Sequence, residues 1–326
     1  MKAALVGIGY WGRNYLRLLS QRDDVELKYV GDTSSVALSK ITVPFETIKT
    51  NQIDRIYNDK EIDFVVVTTP ASTHYDVVKN LLLSGKSVLV EKPLTLNHKE
   101  AEELVSLANA NGLILLTGHT FLYNDAFKYV KEFVNKGGVG RLLYIYGERM
   151  GLGPIRADAS CLWDLAVHDV AMVIDLMNSV PSNYSLTTSN FINRHKNISD
   201  FANFSLKYMN NLVFSFNVTW YFPSKVRKWN IIGSNAMITF DDTIKDYPVT
   251  IKNISVNDSN PESGYEGYYS EGDLFEPHII QKEPLSNLLE EFILKIKNKE
   301  KFQDKLSIDV VTLLEKMENG EKIEPN

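Results

Sequence analysis

The chain has 326 residues, of which 44% are hydrophobic and 23% charged, so its length fits about two domains of ordinary size. Its 35 basic and 41 acidic side chains give a formal net charge of −6, which argues against nucleic acid as a main ligand. Cys161 is the single cysteine, so the chain by itself can form neither a disulfide nor a cysteine-based zinc site. No run of about 18 apolar residues indicates a membrane span, and we expect a cytoplasmic protein.

The first part of the chain alternates short apolar runs with helical patterns, which is typical of a parallel sheet with crossover helices. The predicted strands are 3–6, 26–31, 63–68, 87–90 and 114–117. Predicted helices include 76–84 and 99–111, which end at Gly85 and Gly112 as C-terminal caps often do. Residues 1–120 are therefore predicted to form a doubly wound α/β domain.

The pattern changes near residue 120, where we place a domain boundary. A predicted helix at 124–135 is followed by strands with few helices between them, several with period-two alternation. These strands are 142–149, 186–192, 202–207, 213–220, 229–233 and 236–240. Helices are predicted at 160–178 and 284–297, and the Gly-, Ser- and Tyr-rich segment 257–283 is predicted to be a long surface loop. Residues 121–326 thus indicate an α/β domain with a large open, mostly antiparallel sheet.

Gly7, Gly9 and Gly12 form the pattern G-x-G-x-x-G between the first predicted strand and a helical pattern. The first glycine permits a tight turn, the second lets the backbone approach a pyrophosphate, and the third lets helix and strand pack closely. A glycine-rich turn without a ligand is the alternative, but the strand–turn–helix context favours a dinucleotide. Asp32 ends the second strand, where it would bind the adenosine ribose and repel a 2′-phosphate. NAD is therefore favoured over NADP.

Two further groups of residues indicate chemistry. Lys92 lies in the triplet Glu91-Lys92-Pro93 at the carboxyl end of a strand, the edge where open parallel sheets bind ligands, although such a triplet is more often a surface turn. Asp164 and His168 are four residues apart in a helical pattern and so share one face, which suits a carboxylate beside a general base. A core histidine satisfied by a carboxylate is the alternative. No third residue in register indicates a metal site.

These motifs together resemble the Gfo/Idh/MocA oxidoreductases, the glucose–fructose oxidoreductase and inositol dehydrogenase family. The resemblance covers nearly the whole chain and rests on the glycine motif, VVVTTPASTHYDVV, VEKPLT, GHTFLYN and the D-x-x-x-H-D of Asp164, His168 and Asp169. Many members carry Gly-Gly before this aspartate, where the present chain has CLW. The family implies an N-terminal Rossmann domain, a C-terminal α/β domain whose sheet forms dimers or tetramers, and Lys92, Asp164 and His168 as catalytic residues.

The pattern and the resemblance together give the expected contacts with cofactor and substrate. The expected NAD-binding residues are Gly7, Gly9, Tyr10, Trp11, Gly12, Asp32, Thr69, Pro70, His74, Glu91 and Lys92. The expected substrate-binding residues are Tyr123, Arg149, Arg156, Trp163, Asp164, His168, Lys225 and Arg227. The basic residues among the latter are candidates for a diphosphate, because guanidinium groups match phosphate oxygens, or else they are ordinary surface charges.

Within the family, RMGLGPIRADASCLWDLAVHD and WYFPSKVRKWNIIGSNAMITFDD look most like the subgroup that acts on nucleotide-linked amino sugars. This similarity implies NAD-dependent oxidation of the 3-hydroxyl of UDP-N-acetylglucosamine to a ketone. His168 would take the hydroxyl proton, Lys92 would hold the oxygen, and Asp164 would orient the imidazole or contact the sugar. A dehydrogenase of free polyols such as inositol and a non-catalytic NAD-binding sensor are the alternatives. We expect a homo-oligomer formed through the C-terminal sheet.

Overall fold

A computed structural model describes the chain over residues 1–153, 156, 159–192, 198–258 and 267–323. The chain divides into two compact units. The first unit comprises Met1–Thr120 and Glu283–Glu315, and the second comprises Phe121–Lys282 and Lys316–Asn326. The domain assignment from sequence gave all of 121–326 to the second domain, and the structure differs from it over 283–315.

Six strands form the sheet of the first unit: β1 (Lys2–Val6), β2 (Glu26–Gly31), β3 (Ile48–Thr50), β4 (Phe64–Val67), β5 (Ser87–Glu91) and β6 (Leu115–Gly118). They pair in the order β3-β2-β1-β4-β5-β6, and every pairing is parallel. The intervening helices are α1 (Tyr10–Ser20), α2 (Ser35–Ser39), α3 (Asp54–Asn58), α4 (His74–Leu83) and α5 (His98–Ala110). Because all the strands run in one direction, their carboxyl ends share one edge, where such sheets bind ligands.

Eight strands form the sheet of the second unit: β7 (Leu142–Met150), β8 (Asn183–Ser189), β9 (Phe201–Lys207), β10 (Val213–Thr219), β11 (Val226–Gly233), β12 (Ala236–Asp241), β13 (Val249–Asp258) and β14 (Gly267–Phe275). Their order is β14-β13-β12-β11-β7-β10-β9-β8, and only the β7–β10 pair is parallel. The unit also contains α6 (Asp125–Asn135) and α7 (Val167–Met177). The parallel sheet followed by a mostly antiparallel sheet confirms the predicted fold class.

One face of the second sheet forms the core of its unit. Phe214, Phe216 and Val218 of β10 are fully buried, as their period-two spacing predicts. The rings of Phe216 and Trp229 lie 5.3 Å apart, and Trp229 packs edge-on against Phe127 of α6 at 5.9 Å. Val213, Ser215 and Asn217 on the opposite face of β10 are half-buried, so that face is the more open one.

The structure differs from the predicted strands mainly at the edges of the second sheet. β8 begins three residues before the predicted strand at 186–192, β13 was not predicted, and β14 lies inside the segment predicted to be a loop. Residues 259–266 of that segment lie outside the described residues. Edge strands keep their place through backbone pairing on one side and carry many polar side chains, so their hydrophobic alternation is weak.

The last two helices are α8 (Pro284–Lys297) and α9 (Lys305–Asn319). In the first unit, Phe292 of α8 packs edge-on against Phe64 of β4 with ring centroids 5.5 Å apart. Asp304 accepts hydrogen bonds from the amides of Thr117, at 2.8 Å, and Ser307, which ties the start of α9 to β6. These contacts explain why 283–315 belong to the first unit. Among the described residues, no helix is both long and apolar enough to cross a membrane.

Candidate active site

The three glycines of the turn between β1 and α1 lie in different surroundings. Gly7 has φ +92°, and a Cβ there would lie 2.7 Å from the carbonyl carbon of Thr68. A Cβ on Gly12 would lie 2.1 Å from the carbonyl oxygen of Gly7, so helix and turn touch at this point. At Gly9, by contrast, a Cβ would meet no atom within 4 Å. The first and third glycines are therefore demanded by the fold, and the second faces open space that a pyrophosphate can enter.

Asp32 follows β2 and lies beside this turn. Its carboxylate accepts hydrogen bonds from the amides of Ile8 and Ser34, both at 2.8 Å. These bonds fix the acidic group where a dinucleotide site requires a ribose ligand. Tyr10 and Trp11 begin α1 as an exposed pair of rings in edge-to-face contact at 5.5 Å. The residues of this loop thus fit NAD in charge and in space.

His74 bridges two loops at the carboxyl edge of the sheet. Its ring is almost fully buried, with Nδ1 2.8 Å from the carbonyl oxygen of Pro93 and Nε2 2.8 Å from that of Thr69. A carbonyl oxygen only accepts, so a ring nitrogen that carries a proton donates a hydrogen bond to the carbonyl it faces. The side chain therefore holds the turn that carries Lys92 against the turn after β4, and its contact with the cofactor stays a prediction.

Glu91 ends β5 and Lys92 follows it, and both are largely buried, at 6% and 8% exposed. The Tyr15 hydroxyl of α1 donates a hydrogen bond of 3.0 Å to Glu91 Oε1. Burial raises the pKa of Glu91 to about 7, and the neighbouring positive charge of Lys92 opposes that rise. The Glu91 carboxyl is thus turned towards α1, and Lys92 follows it at the carboxyl end of the strand.

Asp164 and His168 lie where a π-helical turn, Leu162–Ala166, passes into α7. Such turns are rare and are frequent at functional sites. Asp164 Oδ2 accepts a hydrogen bond from the Trp220 indole at 3.0 Å, and Oδ1 lies 3.4 Å from Arg156 Nη1. The imidazole of His168 packs against the ring of Phe121 with centroids 4.9 Å apart. The turn therefore presents a fixed carboxylate and a fixed imidazole close together in the chain.

Two expected substrate ligands are instead buried and paired within the protein. Arg149 is 5% exposed, and its guanidinium donates to both oxygens of Asp169 at 2.7 and 3.0 Å. Trp163 is 3% exposed, and its indole donates to Glu318 at 2.7 Å. Both side chains hold the π-turn and α7 in place. Their carboxylate partners come from other segments, so the local pattern did not reveal them.

The other expected substrate residues are more accessible. Lys225 is exposed just before β11. Arg227 lies two residues later, with its Nη1 3.3 Å from Asp242 Oδ2. Burial is the main cause that lowers the pKa of Arg227, and the charge of Arg149 lowers it further. Tyr123 is half-buried, with the Lys128 ammonium 5.5 Å from its ring. Within the described part of the chain, no group of three or more His, Cys, Asp or Glu side chains is placed to hold a metal ion.

Sequence reasoning missed three residues that the geometry brings to these sites: Tyr15, Trp220 and Phe121. Tyr15 and Trp220 look like ordinary core aromatics, and only their hydrogen bonds to Glu91 and Asp164 distinguish them. Phe121 does lie in the segment GHTFLYN, which the family resemblance had already singled out.

Two family models match the chain. Residues 1–119 match the oxidoreductase family with an NAD-binding Rossmann fold, and residues 127–239 match the GFO/IDH/MocA C-terminal domain. The chain belongs to the Gfo/Idh/MocA oxidoreductase family. This membership confirms the resemblance found in the sequence and the assignment of an NAD-binding Rossmann domain to the first unit.

Family relatives act on different substrates. A UDP-N-acetylglucosamine 3-dehydrogenase of Acidithiobacillus ferrooxidans is 26% identical over 56% of this chain and 56% of its own length. An inositol 2-dehydrogenase of Salmonella typhimurium is 25% identical over 55% of each chain. The chain thus spans about half the length of these curated relatives. The crystal structure of GenD2 from gentamicin A biosynthesis, in complex with NAD, has a TM-score of 0.81 at 21% identity and covers 100% of this chain and 96% of that one.

Proposed function

We propose that this Gfo/Idh/MocA protein is an NAD-dependent dehydrogenase that oxidises a secondary hydroxyl of a nucleotide-linked sugar, the 3-hydroxyl of UDP-N-acetylglucosamine, to a ketone. The observation that carries the proposal is the π-turn, which holds the Asp164 carboxylate four residues before His168 in a chain that also carries Lys92 at the carboxyl end of a strand of the parallel sheet. A sensor that only binds NAD needs no such proton-transfer set.

The oxidation removes a proton from the hydroxyl oxygen and a hydride from the carbon that bears it. Bound NAD supplies the acceptor for that hydride. His168 takes the proton, because the ordinary pKa of a histidine side chain, ~6.5, makes imidazole a suitable base for neutral pH. The Lys92 ammonium donates a hydrogen bond to the substrate oxygen and stabilises the negative charge that develops on it. The Asp164 carboxylate, which accepts a hydrogen bond from the Trp220 indole, supplies a fixed negative charge four residues before the base.

For the substrate diphosphate we propose Lys225, Arg227 and Arg156, the three accessible cations of the expected set. Lys225 and Arg227 flank the start of β11, where alternate side chains of an extended segment can meet one ligand. Arg156 lies beside Asp164. Arg149 is left out because its guanidinium is buried against Asp169.

We further propose that two copies of the chain meet through the open face of the second sheet, in the cytoplasm. Tyr144 and Tyr146 project from β7 on this face as exposed rings, next to the half-buried polar residues of β10. Light scattering at micromolar concentration should show a dimer or tetramer. A strictly monomeric chain would refute this assembly.

The substrate is tested by incubating the protein and NAD with UDP-, dTDP- and GDP-sugars and with free polyols, and following the nicotinamide absorbance. UDP-N-acetylglucosamine should give NADH, and the His168→Ala variant, which is the matched control, should give almost none. Turnover of inositol but not of UDP-sugars would transfer the assignment to a free-polyol dehydrogenase, which the likeness to the inositol 2-dehydrogenase keeps as the second candidate. NAD binding without turnover of any compound would indicate a sensor.

A further inference from the structure

A series of side-chain contacts links Arg149 to His168, the proposed base. Its guanidinium makes a two-point ion pair with Asp169, and the two side chains are 5% and 1% exposed. The Trp229 indole donates a further hydrogen bond of 2.9 Å to Asp169. A planar guanidinium held by two parallel bonds in the core has a fixed orientation as well as a fixed position.

Phe121 lies on this fixed guanidinium. The Cζ atom of Arg149 is 4.2 Å from the centre of the Phe121 ring, within the range of a cation–π contact. The same ring packs against the His168 imidazole at 4.9 Å, with the two planes tilted by 59°. Because His168 and Asp169 are consecutive, the contacts close a ring: His168, Phe121, Arg149, Asp169, and back along the backbone of α7.

From this closed ring we infer that Arg149 is a positioning residue for His168, which it orients through Phe121 and keeps in the neutral form that a base requires. The inference rests on the proposed function, because only there does His168 act as a base. The two effects have separate causes. The packed Phe121 ring restricts the tilt of the imidazole, whereas the Arg149 charge neutralises the neighbouring Asp169 carboxylate, which would otherwise favour the imidazolium.

Other charged groups surround His168 and set the direction of the electrostatic effect. Asp164 and Asp169 lie on its own helical segment, and Arg227 of β11 approaches the Phe121 ring to 5.5 Å while pairing with Asp242. The Asp169 charge is compensated by Arg149. Loss of the Arg149 charge therefore removes a repulsion and also leaves Asp169 unpaired. Both changes favour the imidazolium, so they raise the pKa of His168.

Two variants separate orientation from charge. Phe121→Leu keeps the ion pair and removes the ring that joins it to the imidazole, whereas Arg149→Met removes the charge. Phe133→Leu and Arg141→Met are the matched controls, because Phe133 stacks on Tyr129 in α6 and Arg141 is exposed just before β7. Each protein is measured for kcat and KM across pH, and for the titration of His168 by NMR, with the resonance assigned from the His168→Ala spectrum.

Phe121→Leu should lower kcat about tenfold or more, as misplacement of a reacting group does, and leave the KM for NAD unchanged. Arg149→Met should move the His168 titration midpoint upwards by about one pH unit and move the acid limb of kcat/KM with it. If Arg149→Met does not fold because Asp169 is left buried and unpaired, the Phe121→Leu result decides.

A folded Phe121→Leu protein with the kcat and His168 titration of the wild type would overturn the inference. The NMR titration needs no turnover, so it tests the effect of Arg149 and Phe121 on His168 even if every candidate substrate fails. A failed substrate screen with a shifted His168 titration would thus refute the proposed function and leave the positioning effect standing.

Discussion

Replacement of Glu91 by glutamine should change the pH dependence of stability in a direction that the structure fixes. The carboxyl of Glu91 is 6% exposed and accepts a hydrogen bond from the Tyr15 hydroxyl. Burial raises its pKa to about 7 from the ordinary value of 4.5. Glutamine has the same size, keeps an oxygen that accepts the Tyr15 hydrogen bond, and does not titrate. The variant therefore isolates the cost of ionising Glu91.

The magnitude follows from the linkage between proton binding and folding. Between pH 4.5 and about 7 the folded chain holds a proton on Glu91 that the unfolded chain has released, so the free energy of unfolding falls as pH rises through this window. The two pKa values differ by about 2.5, and each pKa unit is equivalent to ~1.4 kcal/mol. The wild type should therefore lose ~3 kcal/mol by pH 8 relative to Glu91→Gln, and the two proteins should be closest in stability near pH 5.

Urea unfolding at pH 5, 6, 7 and 8, followed by far-UV circular dichroism, measures this difference. Taking the difference between wild type and Glu91→Gln at each pH cancels the groups that titrate equally in both. Glu102→Gln removes an exposed carboxylate on α5 and serves as the control, whose difference from the wild type should stay flat. A Glu91→Gln difference that is the same at pH 5 and pH 8 would show that Glu91 is ionised in the fold throughout, and would refute the reasoning.

Three further predictions concern the cofactor and the chemistry. NAD should be preferred over NADP by more than tenfold, or ~1.4 kcal/mol, and Asp32→Ala should narrow that ratio; equal use of both cofactors by the wild type would contradict the role of the carboxylate. Lys92→Ala and His168→Ala should each lower turnover by about 10²–10⁴-fold while leaving NAD binding nearly intact. Steady-state kinetics measures the turnover, and titration with NAD measures the binding. Unchanged turnover in a folded His168→Ala protein would show that His168 has only a packing role. Gly9→Ala should fold normally but bind NAD weakly, because its Cβ enters the open space that a pyrophosphate would use. Gly12→Ala should lower the melting temperature, because its Cβ would lie 2.1 Å from a backbone oxygen. Equal stability of the two variants would contradict this account.

The first unit was largely predictable from sequence because its signals are local. β4 and β5 are buried along their whole length, and each contains a short apolar run, FVVV and VLV, that needs no tertiary information to recognise. The short elements α2, β3 and α3 were not predicted, since three to five residues are too few to show a period.

The second unit shows the limit of the same reasoning at the site. Spacing correctly placed Asp164 and His168 in one helical segment, but their partners Trp220 and Phe121 come from positions more than 40 residues away. The helical period also did not show that the segment begins as a π-turn. An apolar pattern does not indicate which carbonyl oxygen each backbone amide bonds to. Contacts between distant segments decide the roles of these side chains.

Arg149 shows what the alternation of a strand can still add. In β7 the buried positions are Ile145, Gly147 and Arg149, so the arginine has the same phase as the core residues, whereas Tyr146 and Glu148 have the opposite phase. A guanidinium on a core face requires a carboxylate, because an unpaired buried charge costs several kcal/mol. The period of the strand therefore argues for an internal partner and against a phosphate ligand at this position. Lys225 precedes its strand and is exposed, so the same argument does not assign it an internal partner.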